Sequence, residues 1–225
     1  MTRLSKFVIN FIKITGFLCF SLPCWASSDL CVKFYKKPDV KTTINYGNVV
    51  YKSVPREDIL KFNKLPNPHK TMGLTVADFK IKYDFDFDRY KVDDGICVNF
   101  SQVEFFVGYP NLDVLIDSKY LPGSCEYDAI KSHEKGHIAI YQNELKYYGT
   151  LLLEELKQII ENLPPIYFSK FVSEKIVFAK LSEIIENDDN VLVLKNKLES
   201  SVLNLNKEYD SEQEYKRVYS LCNNW

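Results

Sequence analysis

The sequence predicts an α+β fold: antiparallel strands come first, a helix bearing a His-Glu-x-x-His pattern follows, and helices close the chain. Three observations predict it. Phe79, Ile81, Tyr83, Phe85 and Phe87 alternate with Lys80, Lys82, Asp84, Asp86 and Asp88, the period of a strand with one dry and one wet face. Between Ser124 and Tyr148, Ile130, His133, His137, Tyr141 and Tyr148 share one helical stripe, while Asp128, Lys131, Lys135, Gln142 and Lys146 share the opposite one. After Gly149 apolar residues recur at helical intervals, with prolines as the breaks.

The first 28 residues carry Arg3, Lys6 and Lys13, then an apolar run from Gly16 to Leu22, then the small residues of Ala26-Ser27-Ser28. That order is an export signal with cleavage near Ala26 or Ser28. Asn10, Lys13 and Pro23 make it too poor for a membrane-spanning helix. Residues 29–225 then form one expected domain. The whole chain has 29 bases and 30 acids; losing three bases and no acids leaves about −4. Nothing in that balance supports nucleic-acid binding, and no membrane partner is expected once the signal is removed. Nothing in the sequence sets an oligomeric state.

Four cysteines follow the signal: Cys31, Cys97, Cys125 and Cys222. An even number in an exported chain predicts two disulfides, with three pairings open. One of them, Cys125 with Cys222, would tie the C-terminus to the start of the histidine helix.

Residues 29 to 110 read mostly as strands. Ile44 to Val54, with Tyr46-Gly47-Asn48 inside it, reads as a hairpin, and Pro55 to Lys64 as a short helix. Leu65 to Gly73 is a loop, in which His69 reads as an exposed histidine. Leu74 to Asp88 is the alternating strand; its aspartate row is a solvated face, not a calcium loop. In the strand Ile96 to Val107 the apolar phase switches between Phe100 and Val103, which predicts a bulge. Leu112 to Ile116 is one more strand. Ser124 is the N-cap of the next helix, with Glu126 favouring its dipole. Gly136 inside that helix costs about 1 kcal/mol against alanine, which predicts close approach of another strand's backbone. Leu151–Leu163, Phe171–Glu186 and a stripe of Leu198, Val202, Leu205 and Tyr209 mark the closing helices.

His133-Glu134-Lys135-Gly136-His137 carries the chemistry. Histidines four apart stand one turn above the other and can each offer Nε2 to one ion, and Glu134 stands beside it. Two neutral nitrogen ligands and an adjacent carboxylate are what a zinc hydrolase needs. His133 and His137 are therefore the expected ligands of Zn²⁺, and Glu134 the general base for a peptide or protein substrate. The bland alternative is two buried histidines hydrogen-bonded to their neighbours.

The stretch from Gly95-Ile96-Cys97-Val98 through Pro110 and Cys125-Glu126-Tyr127-Asp128-Ala129-Ile130 into His133–His137 resembles the predicted secreted zinc-dependent proteases of bacteria. The resemblance implies a zincin-like site carried by His133, Glu134 and His137. A metzincin needs glycine and histidine where this chain has Ile140 and Asn143, so that class is excluded. The remaining zincins take a third ligand from a downstream Glu or Asp, and the resemblance implies the same here. Glu161 is one candidate, if Gly149 reverses the chain and brings it opposite His137; Asp210 is the other. A non-catalytic protein on the same scaffold, or a hydrolase of cell-wall amides, would share these features.

Overall fold

The computed structural model describes residues 29–62, 71–169 and 172–225. Residues 1–28, expected from the sequence to be an export signal, and His69 lie outside the described residues. The fold is mixed α+β. A short helix, α1 (Asp29–Val32), leads into strands β1 (Asp39–Asn45) and β2 (Asn48–Val54), a short helix α2 (Arg56–Leu60), and strands β3 (Gly73–Ala77), β4 (Lys80–Val92), β5 (Gly95–Gly108) and β6 (Asn111–Asp117). One sheet has the order β1-β5-β4 and the other β2-β6-β3.

The hairpin expected between Ile44 and Val54 does not form, and the strands are not all antiparallel. β1 runs parallel to β5 and β2 parallel to β6. Both pairs keep one register: each residue faces the one 63 positions later, Asp39 with Gln102 and Asn48 with Asn111. Tyr46-Gly47 is therefore a kink in one continuous strand path, matched by a kink at Tyr109-Pro110 in its partner. Two glycines in the left-handed region permit it, Gly47 (φ 81°) and Gly108 (φ 144°). A Cβ on Gly108 would lie 2.0 Å from the carbonyl oxygen of Asn45.

β3 and β4 run antiparallel to β6 and β5. The bulge lies where the phase switch puts it: Asp86 faces Gln102 and Phe87 faces Phe100, so Ser101 is the extra residue. Inward alternation buries Phe85 of β4 and Val103, Phe105 and Val107 of β5.

Helix α3 (Cys125–Glu144) opens as predicted, with the Ser124 hydroxyl accepting from the Tyr127 amide at 3.1 Å. It packs on β3 and β6. Gly149 does not reverse the chain. Its φ is −63°, and a π-helical turn, Leu145–Gly149, carries α3 directly into α4 (Thr150–Asn162). α4 crosses β1 and β5, burying Leu152, Leu156 and Ile160. A short strand β7 (Ile166–Phe168) adds to the start of β5. Helices α5 (Glu174–Glu186), α6 (Asp189–Tyr209) and α7 (Glu212–Tyr219) follow, with α6 laid against both α3 and α4. Among the described residues no helix is long and apolar enough to cross a membrane.

Two disulfides are present, Cys31–Cys97 from α1 to β5 and Cys125–Cys222 from the start of α3 to the chain end. The second closes a separation of 97 residues, worth up to about 4–5 kcal/mol in the chain-entropy account. Titration of the unfolded, unreduced mature protein should find no free thiol. Four free thiols would refute both bridges.

Candidate metal centre

Helix α3 buries His133, Glu134 and His137 on its inner face. The end of α6 and the start of α7 come opposite. Asn206, Asp210 and Glu214 recur every fourth residue there and meet the two imidazoles in turn. Gly136 makes this approach possible. A Cβ on it would lie 2.2 Å from the Tyr209 ring, so the close neighbour is an aromatic side chain and not the strand backbone expected. Tyr209 stacks on His133 with centroids 5.0 Å apart and meets His137 edge-on.

The Nε2 atoms of His133 and His137 are 3.2 Å apart, and Asp210 Oδ1 lies 3.2 Å from the first and 3.1 Å from the second. Their outer nitrogens are also engaged. His133 Nδ1 is 3.2 Å from Glu214 Oε1, and His137 Nδ1 is 2.7 Å from Asn206 Oδ1. Both partners accept, so in the neutral imidazoles the proton belongs on Nδ1, a tautomer assigned from these partners. Each Nε2 then presents a lone pair to the other and to a carboxylate oxygen. Three acceptors this close could hold a cation among them. Four ligands at zinc bond lengths stand about 3.3 Å from one another around a tetrahedral ion, near the spacing of these three atoms. The donor set of two imidazoles and one carboxylate fits zinc, and Glu214 and Asn206 fit the outer partners that orient metal-binding histidines. Arg217 in turn grips Glu214 with two bonds of 2.6 and 2.7 Å.

Of the two candidate third ligands, the structure brings Asp210 to the histidines and leaves Glu161 out. With no reversal at Gly149, Glu161 sits about 36 Å from His137 along the helix axis. It pairs with Lys37 at 3.1 Å instead.

Glu134 is not one of the three converging donors. Its Oε2 accepts from the Thr75 hydroxyl at 2.7 Å, and β3 reaches it through Gly73, where a Cβ would lie 2.6 Å from its Oε1. Burial raises its pKa, although both imidazoles pull it down. A cavity of about 810 Å³ opens over these groups, between β3 and α6. Tyr141 and Tyr215 line it, and burial raises both hydroxyls, Tyr215 to about 12.

Without an ion, a proton takes the shared place. Burial disfavours charge on His137, but Asp210 and Glu134 outweigh it and raise its pKa to about 9. Burial likewise works against Asp210, but the two imidazoles hold it down at about 2. The raised histidine stabilises the metal-free fold fully below about pH 6.5, and that contribution is lost as pH rises through 9. The depressed aspartate contributes above about pH 4 and is lost as pH falls toward 2. Metal-free protein should therefore melt at lower temperature at pH 9 than at pH 6, and added zinc should remove most of that difference. Equal melting temperatures at the two pH values in the metal-free protein would contradict it.

No family model, curated protein or solved structure matches this chain.

Proposed function

We propose that the protein is an exported, zinc-dependent peptidase with a zincin-like site: His133, His137 and Asp210 hold the ion and Glu134 is the general base. The observation that carries this reading is the convergence of three lone-pair donors whose outer nitrogens are held by acceptors, beside a buried carboxylate that takes no part in the cluster. The bacterial secreted zinc-protease resemblance of residues 95–141 agrees with it.

Zinc held by His133, His137 and Asp210 would supply Lewis acidity to a carbonyl and would lower the pKa of a bound water to about 7. Glu134 accepts the proton of the attacking water and passes it to the leaving nitrogen. Its raised pKa makes the carboxylate the stronger base toward that water. The Thr75 hydroxyl fixes one oxygen and leaves the other for the water. Tyr141 and Tyr215 stay protonated at neutral pH and are the hydroxyl donors on hand for the oxyanion. Zinc-loaded protein should cleave an unfolded protein substrate and stop when a chelator is added. Absence of cleavage of any peptide or protein by the loaded enzyme would overturn the peptidase reading.

Export is supported by the basic, apolar, small-residue order of residues 1–28 and by the two disulfides. N-terminal sequencing should find the mature chain beginning just after Ala26 or Ser28. An intact Met1 in the mature material would argue against it.

A further inference from the structure

Helix α6 ends at Tyr209, and the chain turns at Asp210 into α7, which Ser211 caps. Asp210 is the corner residue. Its amide closes the last bond of α6, to the Asn206 carbonyl at 3.0 Å, and its ψ of 37° leaves the helix. The carboxylate therefore goes where the end of α6 is laid down. That resting place is exacting, because Oδ1 stands within 3.2 Å of both Nε2 atoms at once.

Tyr209, the neighbour of Asp210, is held on three sides. Its ring lies nearly flat on His133, with 13° between the planes, and at 90° to His137, each with centroids 5.0 Å apart. The imidazoles themselves stand at 86°, so the ring fills the corner between them. Its tip rests on α3 at Gly136, which lies between the two histidines in sequence. A Cβ there would lie 2.2 Å from both Cζ and the hydroxyl oxygen and 2.5 Å from Cε1. A methyl group would have to drive the tip from 2.2 Å to at least 3.4 Å, where ordinary contact begins, a shift of about 1.2 Å. The imidazoles block the ring on two other sides, so that shift falls on the end of α6. Metal–ligand distances tolerate only about 0.2 Å. A displacement several times larger, one residue from Asp210, takes the carboxylate off the shared position.

We propose that Tyr209 is a positioning residue: its ring, seated in the slot at Gly136, is the stop that sets Asp210 against both histidines. The ring gives no atom to the ion and acts through Asp210. Gly136 then serves coordination at the expense of the helix, where alanine is the better residue. The inference deepens the metal site proposed above and rests on its ligand set, not on the peptidase reading.

Zinc affinity, read by competition with a chromophoric chelator on mature, oxidised protein, tests it in wild type, Gly136→Ala, Tyr209→Leu and the double variant. Leucine lacks the three atoms that a Cβ at position 136 would meet. Gly136→Ala should bind zinc at least about tenfold more weakly than wild type by displacing the stop, and Tyr209→Leu likewise by removing it. In the leucine background the added methyl should cost less than about threefold, because nothing is left for it to push. Tyr209→Phe keeps the ring and gives up only the hydroxyl, with its bond to Glu214, and should stay within about threefold of wild type. Cobalt(II) bound in place of zinc should show a changed visible spectrum in Gly136→Ala and the wild-type spectrum in Tyr209→Phe. That response follows ligand geometry, and a change in fold stability alone does not produce it. Wild-type zinc affinity in Gly136→Ala or in Tyr209→Leu, or an equal cost of the alanine in both backgrounds, would overturn the inference. If Gly136→Ala does not fold, the contrast between leucine and phenylalanine at position 209 decides, and equal affinities overturn it. A wild type that binds neither metal would overturn the metal site itself, and this inference with it.

Discussion

Glu134→Gln is expected to leave the fold and the zinc in place and to slow amide hydrolysis by about two to four orders of magnitude, the usual worth of a general base. The side chain keeps its size, and the amide still bonds the Thr75 hydroxyl that holds Oε2 at 2.7 Å. It loses only the capacity to take up a proton. The buried carboxylate is separate from the three converging donors, so its neutral replacement takes nothing from them. Removing its charge also removes one of the influences that raise the two histidines, so metal has less competition from protons. Zinc content measured beside turnover checks this. A Glu134→Gln protein that loses its zinc would make Glu134 a ligand.

Asp210→Ala should act in the opposite manner. It removes one of three donor groups, so metal affinity is expected to fall well beyond the roughly 10–100-fold that losing an outer partner costs. Glu214→Gln is the internal comparison, because Glu214 meets the imidazole pair only at the outer nitrogen of His133. That variant should show the smaller loss. The Cys125–Cys222 bridge still fastens the C-terminal segment in both variants, so the difference reports on coordination and not on undocking. Competition with a chromophoric chelator measures both constants. Equal, small losses for Asp210→Ala and Glu214→Gln would show that Asp210 is not a ligand.

The strands and the metal-site helix were legible because their signals are local. Alternation from Phe79 to Asp88 needs no knowledge of partners, nor does the His133–His137 spacing or the Ser124 cap. The bulge at Ser101 was legible for the same reason, as a slip of phase within one strand. Pairing direction was not. β1 reaches β5 across 63 residues, and a glycine between two strand runs looks the same whether it reverses the chain or only kinks it. Gly149 misled in the same way. A glycine after a helix signals a stop, but here the residue is helical and packed against Leu145 and Ile44, where there is little room for a side chain. That single conformation decided between Glu161 and Asp210. The outer partners Asn206 and Glu214 were missed because polar residues on a late helix read as solvated. Their four-residue spacing through Asp210 matches that of the histidines, and it is the one signal that could have found them. Gly136 announced a close neighbour, but sequence did not say that it was the ring of Tyr209.

The most direct test is the metal content of the mature protein, purified without chelators, exposed to zinc and dialysed. One zinc per chain is predicted in wild type and in Glu134→Gln, and little or none in His133→Ala, His137→Ala and Asp210→Ala. A wild-type protein that holds no metal under these conditions would contradict the account. The imidazole pair would then be a buried, hydrogen-bonded cluster shared with Asp210.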